Sequence, residues 1–578
     1  MINIKDHRQL TMFDQWAFLG PKRRRMLDLG WPGLFREHLL CELPVDQIRS
    51  CYRQGIGRPS KELYTILGVM VLQQSMDLND LEAIEQLSYN IQWHYALNIT
   101  EDSDEAKYVS EKTLWTMRQL LTLRGLDKTI FDNVTAKLAK VFSVDIQKQR
   151  LDSVHIKSNM RRLGRISIFA QTIRGFLVNL KRRFPELHNT ILPAVLERYT
   201  SCKALSAFAL TKPSESEKTL QTVSSDLFDL IEQFKEQPDV CAMRTYKLMQ
   251  RVLDEQCNVQ SDGNARSVVV KAPKQVPSDS LQNPSDPDAT YSGHKGQGYQ
   301  VQVMESYTET QDPNKKEPSL NLITHVQVEK ACEHDSHALL PAIKDVQQRG
   351  LGPKSVVADT LYGSIINEDA AKAAQVELIA PVAKAGKNDL SSFEFDASAR
   401  VIACHAGHRP VKIKRKKDRF TASFALDHCR SCPHAENCPV QQGKRNNYLR
   451  YSHKEFRLAM RRALMKTDSF IDAYRWRAGV EATMSQYDRL TGVKRLRVRG
   501  FDAVRFYATL KAAGLNMLRA AAVRRARRRA QAAADGRSLP FFMLFPVFKE
   551  RIWNFLSGLG RNVSPRTFAA DFYVNLAA

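Results

Sequence analysis

The stretch from residue 291 to residue 382 leaves this chain few ways to fold. GYQVQVMES and LNLITHVQVEK read as strands, and HDSHALLPAIKDVQQRG repeats at helical spacing. SVVADT is a short β-branched strand, INEDAAKAAQV a helix, and VELIAPVA a last strand. An earlier apolar run through Val141, Val144 and Ile146 leads into RLDSVHI, which supplies a first strand with Asp152 at its end. Three consecutive strands, then strand and helix in alternation, predict one mixed α/β sheet. Asp152 and Asp359, the latter closing the run KSVVAD, then fall on adjacent central strands.

A third carboxylate comes late. Residues 474–500, YRWRAGVEATMSQYDRLTGVKRLRVRG, predict a helix as far as Leu490, with Gly479 its one internal glycine and Thr491 and Gly492 its stop. Tyr474, Arg477 and Glu481 share one face at i, i+3 and i+7, with Ala478, Ala482 and Met484 as apolar neighbours. The basic run Lys494, Arg495, Arg497, Arg499 follows. Glu481 has two sensible uses there: a structural ion pair, or a ligand holding a divalent metal over a nucleic-acid phosphate. Two strand-end aspartates and this glutamate make an oxygen-only donor set of the kind Mg²⁺ prefers. Two such ions about 3.5–4 Å apart clamp the attacking and leaving oxygens of a phosphoryl displacement.

Four stretches carry a family resemblance: RLDSVHIKSN, NPSDPDATYSGHKGQGYQVQVMES, VVADTLYGS, and the Tyr474, Arg477, Glu481 pattern. The chain resembles bacterial insertion-sequence transposases of the DDE type, nearest the branch called, in words, IS-eleven-eighty-two. The resemblance implies a ribonuclease-H-like catalytic core with Asp152, Asp359 and Glu481 as catalytic triad and Mg²⁺ or Mn²⁺ as cofactor. It implies contacts to DNA from Tyr474, Arg477, Arg489, Lys494, Arg495 and Arg497, and a homodimer acting on terminal inverted repeats and target DNA. One position departs from the pattern. The family often has a lysine seven residues beyond the glutamate; here stands Asp488, with Arg489 beside it. Either Arg489 takes over the DNA contact or this copy is impaired. A nuclease without strand transfer and a catalytically impaired DNA-binding relative are the alternatives.

Net charge of +24 over 578 residues calls for an anionic partner, and its spread along the chain favours DNA over a membrane surface. The longest apolar run near the C-terminus, LPFFMLFPVF, is too short to span a bilayer, and the N-terminus has no secretory core. Ten cysteines in that setting point to free thiols or metal ligands, and a cytoplasmic, nucleoid-associated protein is expected.

The expected division is a helical N-terminal DNA-binding domain over 1–140 and a catalytic domain over 141–384 and 451–520. A helical insertion over about 160–265 interrupts the latter. A cysteine-bearing insertion covers 385–450, and a basic, aromatic C-terminal region 521–578. Helices from Ser60, over residues 78–89 and from Ser110 suit a helix-turn-helix-like module or a plain bundle. The Pro- and Ser-rich segment 273–288 looks like a flexible connector. Cys404, Cys429, Cys432 and Cys438 can make a tetrahedral zinc site, with His405, His408, His428 and His434 as spare ligands; an iron–sulfur cluster or unliganded thiols are the other options. Beside them, VKIKRKKDRF is a basic, β-like strip suited to facing DNA.

Overall fold

A computed structural model describes residues 2–534 except 10–12, 53–58, 203, 263–264, 310–318 and 387–388. The segment 55–59, whose Gly55, Gly57 and Pro59 spell a turn, lies mostly outside the described residues, and the apolar C-terminal run and aromatic tail lie wholly outside them.

The N-terminal part is helical: α1 Leu63–Ser75, α2 Asp80–Tyr89, α3 Glu111–Arg124 and α4 Leu126–Phe142. Ser110 caps α3 as its position suggests. Ser60 does not cap α1; that role falls to Glu62, which accepts from the Tyr64 and Thr65 amides, while the Ser60 hydroxyl accepts from Asn3. Asn79 and Glu82 close a reciprocal capping box on α2.

The central sheet begins with β1 Lys148–Lys157. The helical insertion follows, with α5 Arg165–Arg183, α6 Ser216–Phe234 and α7 Arg244–Gln256 around a core of their own. Leu227, Leu230, Ile231 and Phe234 are all buried there, as their spacing requires. The sheet resumes with β2 Gly296–Ser306 and β3 Ile323–Lys330, then α8 Leu339–Gln348, β4 Ser355–Ala358, α9 Ile365–Ala373 and β5 Glu377–Ile379. β2 pairs antiparallel with β1 and with β3, whereas β4 runs parallel to β1 and to β5. The order β3-β2-β1-β4-β5 is the ribonuclease-H-like arrangement expected from the sequence.

Successive residues of a strand face opposite sides, and both sides here are covered. Leu151 and Met304 pack with Leu339, Ile343 and Val346 of α8. Val154, Ile156, Val301 and Val303 join the core that holds α1 and α4.

A smaller three-stranded antiparallel sheet, β6 Lys412–Lys416, β7 Arg419–Phe424 and β8 Asn447–Ser452, makes the cysteine-bearing insertion. After it come α10 His453–Leu464, α11 Asp468–Tyr474, α12 Gly479–Thr491 and α13 Phe501–Ala534. Asn516 of α13 bonds both the amide and the carbonyl of Ile323, satisfying the edge of β3. The segment expected to be a flexible connector is instead pinned. Asp286 accepts from the Tyr299 hydroxyl, the Ser158 hydroxyl and the Gly500 amide, and Asp288 accepts from Phe501 at the start of α13. Two carboxylates, Asp286 buried and Asp288 half-buried, hold the start of α13 through a stretch whose composition suggested only a linker.

Candidate active site

The parallel register pairs Leu151 with Ala358, so the next residue on each strand is an aspartate and the two lie side by side. Asp152 sits mid-strand rather than at a strand end, because β1 continues in register with β2 as far as Lys157. Its Oδ1 accepts from the Ser153 amide at 2.8 Å. Asp359 leaves the sheet just after β4, and its Oδ1 caps a tight turn through the Leu361 amide at 2.8 Å.

The glutamate helix differs from its sequence reading. Residues 475–478 form a 3₁₀ turn between α11 and α12. The cause is tertiary. Arg150, on β1, donates from Nη1 to the Trp476 carbonyl at 2.8 Å. A Cβ on Gly479 would lie 1.9 Å from that same Nη1, so the glycine admits the guanidinium against the helix start. Beyond the turn, α12 buries Val480, Thr483, Met484, Tyr487 and Thr491, while Ala478 and Ala482 are exposed. Gly492 stops the helix in the left-handed conformation at φ 66°, as expected.

Arg477 ties the pieces together. Its Nη2 donates to Asp152 Oδ2 at 3.1 Å and its Nη1 to Glu481 Oε1 at 3.3 Å. The Arg477 Nε is buried without a hydrogen-bond partner among the described residues. Burial pushes the Asp152 carboxyl up, and the like charges of Asp359 and Asp335 add to this against the pull of Arg477 and of the Ser153 amide. Tyr474 faces the same place: burial raises its phenol, with Asp359 and Asp152 contributing and Arg477 opposing. Asp152, Asp359, Tyr474, Arg477 and Glu481 therefore meet at one cleft, with Glu481 the most exposed at 70%.

The donor set of Asp152, Asp359 and Glu481 is all oxygen, which suits a hard divalent cation. Among the described residues, however, no three His, Cys, Asp or Glu side chains are already arranged as a metal shell, and Arg477 spans the space between Asp152 and Glu481. The chemistry of the site fits such an ion, provided Arg477 gives way.

The basic run beyond α12 divides. Arg489 and Arg495 are exposed. Arg497 is engaged with Asp77 and Glu82 of the N-terminal helices, both at 3.7 Å. Lys494 lies 3.9 Å from Asp488, whose carboxylate also accepts from the Lys494 amide at 3.2 Å. Asp488 thus closes the turn after α12.

In the insertion, Cys404, Cys429 and Cys438 pack on one small core. Burial raises the Cys438 thiol, and its neighbours Cys429, Cys432 and Cys404 reinforce the shift. The four thiols therefore lie in one neighbourhood, though among the described residues no three of them are arranged as a ready metal shell. The spare histidines pair with each other: His405 with His434 at 3.9 Å between ring centroids, and His408 with His428 at 4.2 Å. His334 caps the turn before α8, accepting from the Ser336 amide.

Sequence reasoning missed Arg150, Glu305, Lys295 and Asp335. Glu305 is fully buried and accepts from Arg150, Thr483 and Arg519, which anchors α12 to the sheet. Neither charge stands out in its strand, since KQRLDSVHIK and GQGYQVQVMES carry several other polar residues.

Residues 403–521 match the family model for a transposase DDE domain, and residues 37–120 match that for a transposase domain. Glu481 and the four cysteines lie within the first match; the two aspartates lie outside both. No curated protein and no solved structure matches the chain. Neither match distinguishes a branch of the insertion-sequence elements. The segment that holds the glutamate helix is thus similar to transposase DDE domains, and part of the N-terminal helical region to a second transposase domain.

Proposed function

We propose that this protein is a metal-dependent DNA transposase that binds the terminal inverted repeats of an insertion sequence, cuts the 3′ ends and joins them to target DNA. The observation that carries this is the adjacency of Asp152 and Asp359 on parallel strands, with Glu481 joined to Asp152 through Arg477. Mg²⁺ or Mn²⁺ held by these three carboxylates would polarise the phosphoryl oxygens and acidify the attacking water. Arg477 would swing from the carboxylates to a DNA phosphate, where its planar fork suits paired oxygens. Tyr474 would donate to a neighbouring phosphate. Arg489, Lys494, Arg495 and Arg497 would grip the flanking backbone, Arg497 after leaving Asp77 and Glu82. The helices of residues 1–140 would read the repeats, with two chains joining the element's ends. Cys404, Cys429, Cys432 and Cys438 would hold one structural Zn²⁺ apart from the cleft. Since Asp488 closes a turn, an acid at that position has a use that leaves the cleft intact.

The test is Mg²⁺-dependent cleavage and joining of a labelled terminal repeat. Asp359→Asn should lose both steps while binding persists, because asparagine keeps the shape and removes the charge that holds a hard cation. Cleavage without joining in the parent would favour the nuclease; full activity in Asp359→Asn would end the triad assignment.

A further inference from the structure

A second cation stands beside Ser153, the residue that follows Asp152. Lys295 lies in the GHKG turn that joins the short strand Thr290–Ser292 to β2. Its Nζ donates to Ser153 Oγ at 3.0 Å and lies 3.4 Å from Asp335 Oδ2. Ser153 follows Asp152 on β1, and its hydroxyl donates to the same Asp335 oxygen at 3.1 Å.

Asp335 is itself fixed from beneath. Gln302 Nε2 donates to Asp335 Oδ1 at 3.1 Å, and the Tyr362 hydroxyl donates to Gln302 Oε1 at 2.6 Å. Gln302 and Tyr362 are fully buried, and Tyr362 stands three positions after Asp359. The relay therefore runs from the turn that carries Asp359 to the residue next to Asp152.

The turn is shaped to deliver the lysine. Gly296 has φ 93° and Gly298 has φ 155°, and a Cβ on Gly298 would meet the Ile156 carbonyl oxygen at 2.0 Å. Only glycine lets this hairpin close so tightly on β1. Yet the ion pair it makes is slack: 3.4 Å is long for a charge-assisted contact, which runs about 2.7–2.9 Å. The ammonium is one-third exposed and has a third proton to give.

We propose that Lys295 is a phosphate-contacting residue of the cleft and that Asp335 is the positioning residue that holds it beside the aspartate pair. The proposal rests on the assignment of Asp152 and Asp359 to the catalytic cleft. Lys295 supplies positive charge from the strand side, whereas Arg477 supplies it from α12. A DNA strand laid over the aspartates then meets a cation from each element.

The experiment uses the full chain and a fluorescein-labelled duplex of arbitrary sequence, with affinity measured between about 50 and 200 mM salt. Lys295→Ala and Lys295→Gln should lower the slope of log affinity against log salt by about 0.9, the share of one phosphate. Lys295→Arg should keep the slope, and so should Asp335→Asn, with weaker binding, because the ammonium stays charged but loses its seat. An unchanged slope in Lys295→Gln overturns the proposal. A Lys295→Gln chain that fails to fold marks the lysine as structural and overturns it too. Metal-dependent nicking of supercoiled plasmid by Asp359→Asn separates the two layers. Nicking that survives there breaks the cleft assignment, whereas lost nicking beside an unchanged Lys295→Gln slope breaks only the present proposal.

Discussion

Two glutamates of this protein meet arginines in opposite ways. Glu305 is fully buried, with Arg150 Nε at 2.6 Å, Arg519 at 3.1 Å and Thr483 at 2.6 Å. Glu481 is 70% exposed and, among the described residues, is paired with Arg477 alone, at 3.3 Å. The first is a closed structural set, since losing a partner would strand a charge out of water. The second is an open pair of the kind worth about 0–1 kcal/mol on a surface. Arg477 joins the two kinds of setting, since its other partner, Asp152, is largely buried. The two sets are also linked, because Thr483 and the Trp476 carbonyl bind the rigid network to the helix that carries Glu481.

Breaking the buried set should give the largest effect on the fold. Glu305→Ala leaves Arg150 and Arg519 facing each other across a vacated site, and the expected cost is about 3–5 kcal/mol. Urea unfolding checks it; a midpoint equal to the parent's would erase the contrast. Arg477→Ala should do the reverse. Its unfolding free energy should fall by less than that of Glu305→Ala, because the carboxylate it leaves at Glu481 is open to water, while cleavage falls about 10²-fold as one stabilising donor is lost. A large stability loss in Arg477→Ala would make it another structural arginine.

The same contrast explains what the sequence could reveal. The strand order and the pairing of Asp152 with Asp359 were legible because β-branched runs and helical spacing are local signals. The break at residues 475–478 was not, because its cause, Arg150 reaching the Trp476 carbonyl, lies 326 positions away in the chain. Of the three apolar neighbours read beside the Glu481 face, Met484 is buried whereas Ala478 and Ala482 are exposed. Asp335 and Lys295 escaped notice for the same reason. They meet Ser153 across 182 and 142 positions, and neither has a local pattern that marks it. Composition misjudged residues 273–288, since prolines and serines describe a linker whether or not its aspartates find amides to bind.

A third prediction concerns pH. The Asp152 carboxyl is raised chiefly by burial, so the native state holds its proton more tightly than the unfolded chain. Its contribution to stability is full below the ordinary carboxylate range and is lost as pH climbs through the raised value. Asp152→Asn cannot ionise. At neutral pH it should melt slightly above the parent, on the order of 1 °C for a chain this long, while cleavage disappears. The gain should vanish in acid; a lower melting temperature at neutral pH would mean that Arg477 stabilises the charged form more than burial penalises it.

The smallest effect is expected at Asp488. Its carboxylate accepts from the Lys494 amide at 3.2 Å and lies 3.9 Å from the Lys494 ammonium, both side chains being well exposed. Asp488→Lys removes that acceptor and sets two ammonium groups near each other. The fold should lose no more than about 1 kcal/mol, because water replaces an exposed contact cheaply. DNA binding should respond in the other direction: a new cation on the same helix as Glu481 should steepen the salt slope by up to about 0.9 if it reaches a phosphate. Asp488→Asn separates the two contributions, since it keeps an acceptor for the Lys494 amide and adds no charge. If Asp488→Lys raises strand transfer while Asp488→Asn matches the parent, a cation there assists the cleft and the parent works at less than its full rate. If both variants lose activity alike, the turn after α12 is what the aspartate serves, and it belongs with Glu305 among the groups that hold Glu481 in place.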